Sequence, residues 1–257
     1  MHHLHIDQFA LGTSPVHVID PRVKILAAAV FILSVVLTSD FALVSYVLYA
    51  CLAVIVLLVS RTPVRYVVLR SLTVLPFSIM VSMFVPFITG GDDIWRMTIA
   101  GVDFTVTAEG LARFGALQCR AVLCFLATII LVSTTPFGDL MHAAGQLGLP
   151  RRLVQVMTFM YRYLFLFIDE TSHMLLARRL RAPGGGRIQF LKASGGIVGA
   201  LFVRSLEHAE RLYQAMLLRG YGGNLVTVAV HRIDASDLLK GTGLVLLTVM
   251  AYISGRI

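Results

Sequence analysis

From Phe41 to Ser60 the chain runs without a charged residue. Twenty helical residues rise about 30 Å, enough to cross the hydrocarbon core of a bilayer. The same apolar excess recurs along the sequence. Of its 257 residues, 57% are hydrophobic and 14% charged, against about 25% charged in ordinary soluble domains. Mean hydropathy is +0.82. Because the apolar residues fall into many separate segments, the sequence predicts an all-α, polytopic membrane protein.

Five apolar runs read as spans. Lys24–Ser39 follows Asp20-Pro21-Arg22, and Asp40 separates it from Phe41–Ser60. A third span from about Val67 to Ile88 contains Pro76 and Pro86, which should kink it. Gly90 to Arg113 is a polar connection with alternating apolar residues, expected to form a short external hairpin or loop. The fourth span runs from about Ala116 to Thr134, with Arg120 near its outer end and able to snorkel to the interface. Leu238–Ser254 is the last. The formal net charge of +8 is carried by basic residues that flank or separate these runs. Arg61, Arg65 and Arg70 follow the second span, whereas Ser39-Asp40 has no Lys or Arg. That bias places the arginine-rich ends in the cytoplasm and makes the charge a matter of orientation, with no role for nucleic acid.

One stretch fits two arrangements. Leu153–Ile168 is apolar enough for a further crossing, but Arg151-Arg152 and Arg178-Arg179-Arg181 flank it on both sides. Arg162 lies within it, at a cost of about 2.5–3.5 kcal/mol on insertion scales. The lower-energy arrangement keeps 136–223 at the cytoplasmic face and leaves five spans; the alternative has six. The expected organisation is a cytoplasmic segment over 1–23, four spans over 24–135, a coupling-helix domain over 136–223 and a final span within 224–257. A short amphipathic helix over 139–152, ended by Gly148 and Pro150, opens the coupling domain.

Two long helical patterns in that domain end alike. One closes in Ala177-Arg178-Arg179-Leu180-Arg181-Ala182 before Pro183 and three glycines. The other, from Phe190 onward, closes in Leu218-Arg219-Gly220. An arginine in the last turn complements the negative helix terminus, and the Pro/Gly stop leaves its guanidinium at a projecting tip. Such a planar five-donor fork suits carboxylates on a partner protein. Along the second helix Glu207 and Arg211 form an i,i+4 pair, and Arg204 and Arg211, seven apart, share a face. A solvated basic face would explain the charge, but not two arginine ends followed by small residues.

Motifs for chemistry are missing. No GxxxxGK[ST], HExxH or GxSxG occurs, so no ATP hydrolysis, catalytic residue or cofactor is expected of this chain. Asp169, Glu170 and His173 come nearest to a metal or acid–base group, and they read instead as partners for arginines such as Arg162. Cys51, Cys119 and Cys124 sit in apolar runs without paired spacing and read as small packing residues. His2, His3 and His5 read as a flexible polar terminus able to hold metal only weakly. The first 23 residues have no apolar core, so no cleavable signal peptide is expected.

These features together resemble the transmembrane T component of energy-coupling-factor (ECF) transporters, of the CbiQ type associated with cobalt uptake. The likeness covers nearly the whole chain. It rests on Asp20-Pro21-Arg22-Val23-Lys24, Leu149-Pro150-Arg151-Arg152, Tyr161-Arg162-Tyr163 with Asp169-Glu170, Ala177 to Arg181, and Ala215 to Tyr221. Family members carry two Ala-Arg-Gly motifs at the ends of the coupling helices. Here they stand as Leu180-Arg181-Ala182 and Leu218-Arg219-Gly220, with Leu for Ala in both and Ala182 for Gly in the first. The arginines are retained.

The resemblance implies a non-catalytic subunit of an ATP-driven importer in a prokaryotic inner membrane. Arg181 and Arg219, with Arg178, Ala182 and Gly220 beside them, would dock on two ABC ATPase subunits. Co2+ would be captured by a separate CbiM-like membrane subunit, with or without a small accessory subunit, so this chain need hold no metal ligands. A T component for nickel or for a vitamin such as biotin is the nearest alternative. A membrane-embedded enzyme would need intramembrane acids that are not found, and a stand-alone carrier would leave the basic helices without a use.

Overall fold

The computed structural model describes residues 12, 14–90, 93–99, 102–181, 187–223 and 235–255. After the single turn α1 (Pro15–Val18), Asp20 and Pro21 start the first long helix, α2 (Pro21–Leu37). The Asp20 carboxylate accepts from Arg22 N at 2.9 Å, and proline at the first helical position gives up no hydrogen bond. Residues 15–18 and 21–23 are thus helical, where the sequence suggested only a polar leader. α3 (Leu43–Ser60) follows a tight connection and ends at Arg61, whose φ of 53° is left-handed.

The third apolar run is helical in three pieces, α4 (Val64–Leu72), α5 (Leu75–Ser82) and α6 (Val85–Ile88). Pro76 and Pro86 each stand at the second position of a restarted helix, where the missing N–H is no loss. A hairpin of β1 (Asp93–Ile99) and β2 (Val102–Thr107) comes next, antiparallel, with a register shift between Asp93 and Trp95. It is the one strand pair among the described residues of an otherwise helical chain. α7 (Ala108–Thr134) begins well before the expected start near 116. Thr107 is its N-cap and accepts from Gly110 N at 3.1 Å, with Glu109 in the first turn. α8 (Phe137–Gln146), α9 (Arg151–Arg181), α10 (Arg187–Leu218) and α11 (Ala235–Ser254) complete the order.

Among the described residues three segments are long and apolar enough to cross a bilayer: Leu43–Ser60, Val64–Ile88 and Ala108–Thr134. Leu239–Ser254 is a shorter apolar helix, and α2 has 17 residues. The chain divides into two units, one of Met1–Leu147 with His231–Ile257 and one of Gly148–Val230.

In the first unit α7 is the central helix, packed against α2, α3, α4, α5 and α6. Ala116, Leu123 and Ile130, spaced by sevens, form its buried stripe. Phe31, Val35, Tyr49, Ala53 and Ala251 gather around the first two, with Phe31 and Tyr49 edge to face at 5.6 Å. Leu57 and Val67 join Ile129 and Ile130 in a second cluster. α11 lies close on α2 at Gly241, where any Cβ would run into the Val23 side chain. Cys124 packs against the core, but Cys51 and Cys119 are exposed on the outer helix faces and are not packing residues.

Arg120 reaches the connection between α2 and α3. Its Nη2 lies 2.8 Å from Asp40 Oδ1 and donates to the Thr38 carbonyl beyond α2. The Asp40 that interrupts the apolar sequence is therefore the partner of a charge inside α7, which lowers the cost of both.

Candidate functional site

The second unit is a pair of helices, α9 and α10, of 31 and 32 residues. Each spans about 46–48 Å. Among its described residues none is buried, so the pair has no interior of its own. Val156 and Met160 on α9, and Phe202 and Leu206 on α10, are large apolar side chains left exposed. Gly195, Gly196 and Gly199 give α10 a bare stretch with open space around it.

An ion pair joins the two helices. Arg204 Nη1 on α10 donates to Glu170 Oε1 on α9. The sequence placed arginine partners near Glu170, but nothing in it singled out Arg204, because the pairing depends on how two helices lie together. Glu207 and Arg211 make their expected contact along α10 at 3.7 Å. Both of these side chains are well exposed, which limits the pair to a few tenths of a kcal/mol. Among the described residues no group of three His, Cys, Asp or Glu could hold a metal ion, Asp169, Glu170 and His173 included. His2, His3 and His5 lie outside the described residues.

α10 stops in a tight C-terminal cap: Tyr221 N donates to Met216 O at 3.0 Å, and Gly220 N to Leu217 O at 3.0 Å. This pairing of six-residue and four-residue bonds is a Schellman motif, and it needs a left-handed residue at its turn. Gly220 supplies it with φ of +79°. Arg219 is the residue just before, exposed, with its N–H bonded to Met216 O at 3.1 Å. The Arg-Gly pair thus has a mechanical reading: glycine turns the backbone, and arginine is left at the corner.

α9 carries Arg178, Arg179 and Arg181 in its last turn and ends on Arg181. Arg179 and Arg181 are exposed, whereas Arg178 is half-buried and has interactions of its own. Ala182 lies outside the described residues. Next to each terminal arginine stands a leucine, Leu180 at 76% exposure and Leu218 at 91%. Sequence reading treated these leucines only as departures from alanine. Such exposure of a large apolar side chain beside a guanidinium makes each tip a mixed surface, apolar and cationic at once. It suits a groove that offers a carboxylate beside an apolar wall.

Residues 12–228 match the family model described as cobalt transport protein, CbiQ. The cobalt transport protein CbiQ of Rhodobacter capsulatus is 27% identical over 194 residues, covering 76% of this chain and 74% of that protein. The energy-coupling factor transporter transmembrane protein EcfT of Acidaminococcus fermentans is 26% identical over 261 residues, 97% of this chain and 95% of that one. An EcfT of Bacillus selenitireducens reaches 29% identity over 231 residues, with 85% and 84% covered.

Proposed function

Because the chain belongs to the CbiQ family of cobalt transport proteins, we propose that it is the transmembrane coupling subunit of an ATP-driven, ECF-type importer for cobalt ions. It catalyses nothing itself. Two ATPase subunits bind the tips of α9 and α10, and a separate membrane subunit captures the ion. The setting is a prokaryotic inner membrane, with the arginine tips on the side where ATP is available.

One observation carries this reading: two long helices without an interior each end on an exposed arginine, one of them held at the corner of a glycine cap. A guanidinium fork in an acidic groove on each ATPase would follow the closure of that subunit on ATP. A helix is stiff along its axis, so movement at a tip displaces the whole rod. The Arg204–Glu170 pair ties the two rods near their middles, so that they shift together. Their exposed apolar faces are then the surface on which the ion-capturing subunit is rocked.

The alternative substrate reading is a T component for nickel or a vitamin such as biotin, since the relatives named energy-coupling factor transporter transmembrane protein carry no substrate in their names. Cobalt is preferred because the matching family model is that of the cobalt transport protein. The test is to purify the tagged chain with its chromosomal neighbours and to reconstitute it. Two ATPase subunits and a second membrane protein should accompany it, and uptake of labelled Co2+ should depend on ATP and resist competition by biotin. A chain that purifies alone, or uptake without ATPase subunits, overturns the proposal.

A further inference from the structure

The first unit contains an apolar groove of about 290 Å³ that the coupling role does not use. It lies between α2 and α3, floored by Ala127, Ile130 and Leu131 of α7 and flanked at the start of α2 by Pro15, Val16 and Ile19. Ala28 on α2 and Val56 on α3 both line it and are only half-buried. Among the described residues only three polar side chains line it, Lys24, Thr134 and Lys240. All three stand at one end, where α2 and α11 begin and α7 finishes.

Its length is informative. From Val23 to Phe31 the groove follows α2 for eight residues, about 12 Å, close to one leaflet's share of a 30 Å hydrocarbon core. Phe31, 4% exposed, is the last residue of α2 to line it. A helix of a neighbouring subunit would run through both leaflets and would not fit a slot that stops halfway. A lipid tail entering from one surface would.

The polar end holds cations and carboxylates together, with Asp139, Asp20 and Asp237 all close enough to act on Lys24. Lys24 is spoken for, since its ammonium donates to His17 O, Thr134 O and Thr135 Oγ1 at 3.1–3.3 Å. Lys240 is half exposed and only loosely paired with Asp237, at 3.8 Å. Arg61, exposed in its left-handed turn, follows two residues after Val59 on the groove wall. Lys240 and Arg61 are thus exposed cations at this end, and such groups beside apolar walls between membrane helices suit anionic headgroups.

We propose that this groove is a binding site for one acyl chain of an anionic phospholipid from the leaflet at the basic end, its phosphate held by Lys240 with Arg61 nearby. The site is independent of the coupling role of α9 and α10. It gives the basic end of the first unit a fixed lipid that fills the gap between α2 and α3.

The test uses the full-length chain in phosphatidylethanolamine vesicles containing a trace of phosphatidylglycerol with a photoactivatable group near its tail end. Labelling should saturate and map to the walls around Ala28, Val56 and Ala127. It should exceed labelling by the phosphatidylcholine analogue about fivefold, the worth of one basic side chain at an anionic surface. Ala28→Phe should remove most of the labelling, and Lys240→Gln should keep the labelled positions while erasing the headgroup preference. Lys240→Gln changes only an exposed side chain, so it reports even if Ala28→Phe fails to fold. Labelling spread evenly over the outward faces of α3, or equal labelling by both headgroups, overturns the proposal. So does cross-linking of the groove to a helix of a partner subunit.

Discussion

Lys24 Nζ donates to the carbonyl of Thr134, 110 positions away, at 3.1 Å in a buried site. Thr134 ends α7, so the ammonium sits where a helix leaves its last carbonyls unpaired and its dipole is negative. His17 O, in the last turn of α1, is bound by the same group. One side chain thus ties the start of α2 to the ends of two other helices. Lys24→Met should destabilise the protein by about 1–3 kcal/mol by orphaning these acceptors. Thermal unfolding in detergent measures it, and a methionine variant as stable as the parent would contradict this role.

Asp40 and Arg120 should behave as a unit. Asp40→Ala strands a guanidinium in a half-buried position of α7, and a loss of about 1–3 kcal/mol is expected, between the surface and the buried ranges. Arg113, 3.8 Å from the other carboxylate oxygen, offers only a distant second partner. Combining Asp40→Ala with Arg120→Met should recover much of the loss, since no charge is then left alone. A double-mutant cycle of unfolding free energies checks this, and strict additivity would count against the pair.

Much of the membrane architecture was legible because hydropathy over twenty residues is a strong local signal. Ser39-Asp40 and the two prolines marked real breaks for reasons contained in a few neighbouring residues. What escaped was relational. Asp40 looked like punctuation until Arg120, eighty positions later, was beside it, and Lys24 looked like a flank until α7 folded over it. The early start of α7 was written in Thr107 and Glu109, a cap that the apolar content further along obscured. On the helix pair, Arg219-Gly220 announced a cap in two letters, but the Glu170–Arg204 tie depends on a packing that no spacing within either helix encodes.

Gly220 makes a separable prediction about backbone. At φ of +79° an alanine is strained, so Gly220→Ala should weaken the cap by about 1 kcal/mol and fray the last turn of α10. Asparagine, which tolerates this region, should do less harm. If the corner serves to aim Arg219, Gly220→Ala should lower ATPase binding while leaving thermal stability of the first unit near normal. Titrating purified ATPase against each variant reads this. Equal affinity for the glycine and alanine forms would show that the corner has no part in docking.

The arginines themselves carry the sharpest expectation. Lysine preserves charge but not the planar fork, so Arg219→Lys should weaken docking measurably if two parallel hydrogen bonds to a carboxylate are made. Arg219→Glu should abolish docking, because it sets like charges together and leaves the partner's carboxylates unpaired, a loss of about 2–5 kcal/mol. Arg181 should follow the same order with a smaller amplitude, since Ala182 stands where the second motif has glycine. Leu218→Ala separates the apolar part of the tip: it should reduce affinity without altering its salt dependence, whereas the neutral Arg219→Ala should flatten that dependence and the charge-preserving Arg219→Lys should keep it. ATPase binding measured across a salt series, beside uptake in reconstituted vesicles, distinguishes these outcomes. Full transport by an Arg181→Ala/Arg219→Ala double variant would refute the coupling role of both tips.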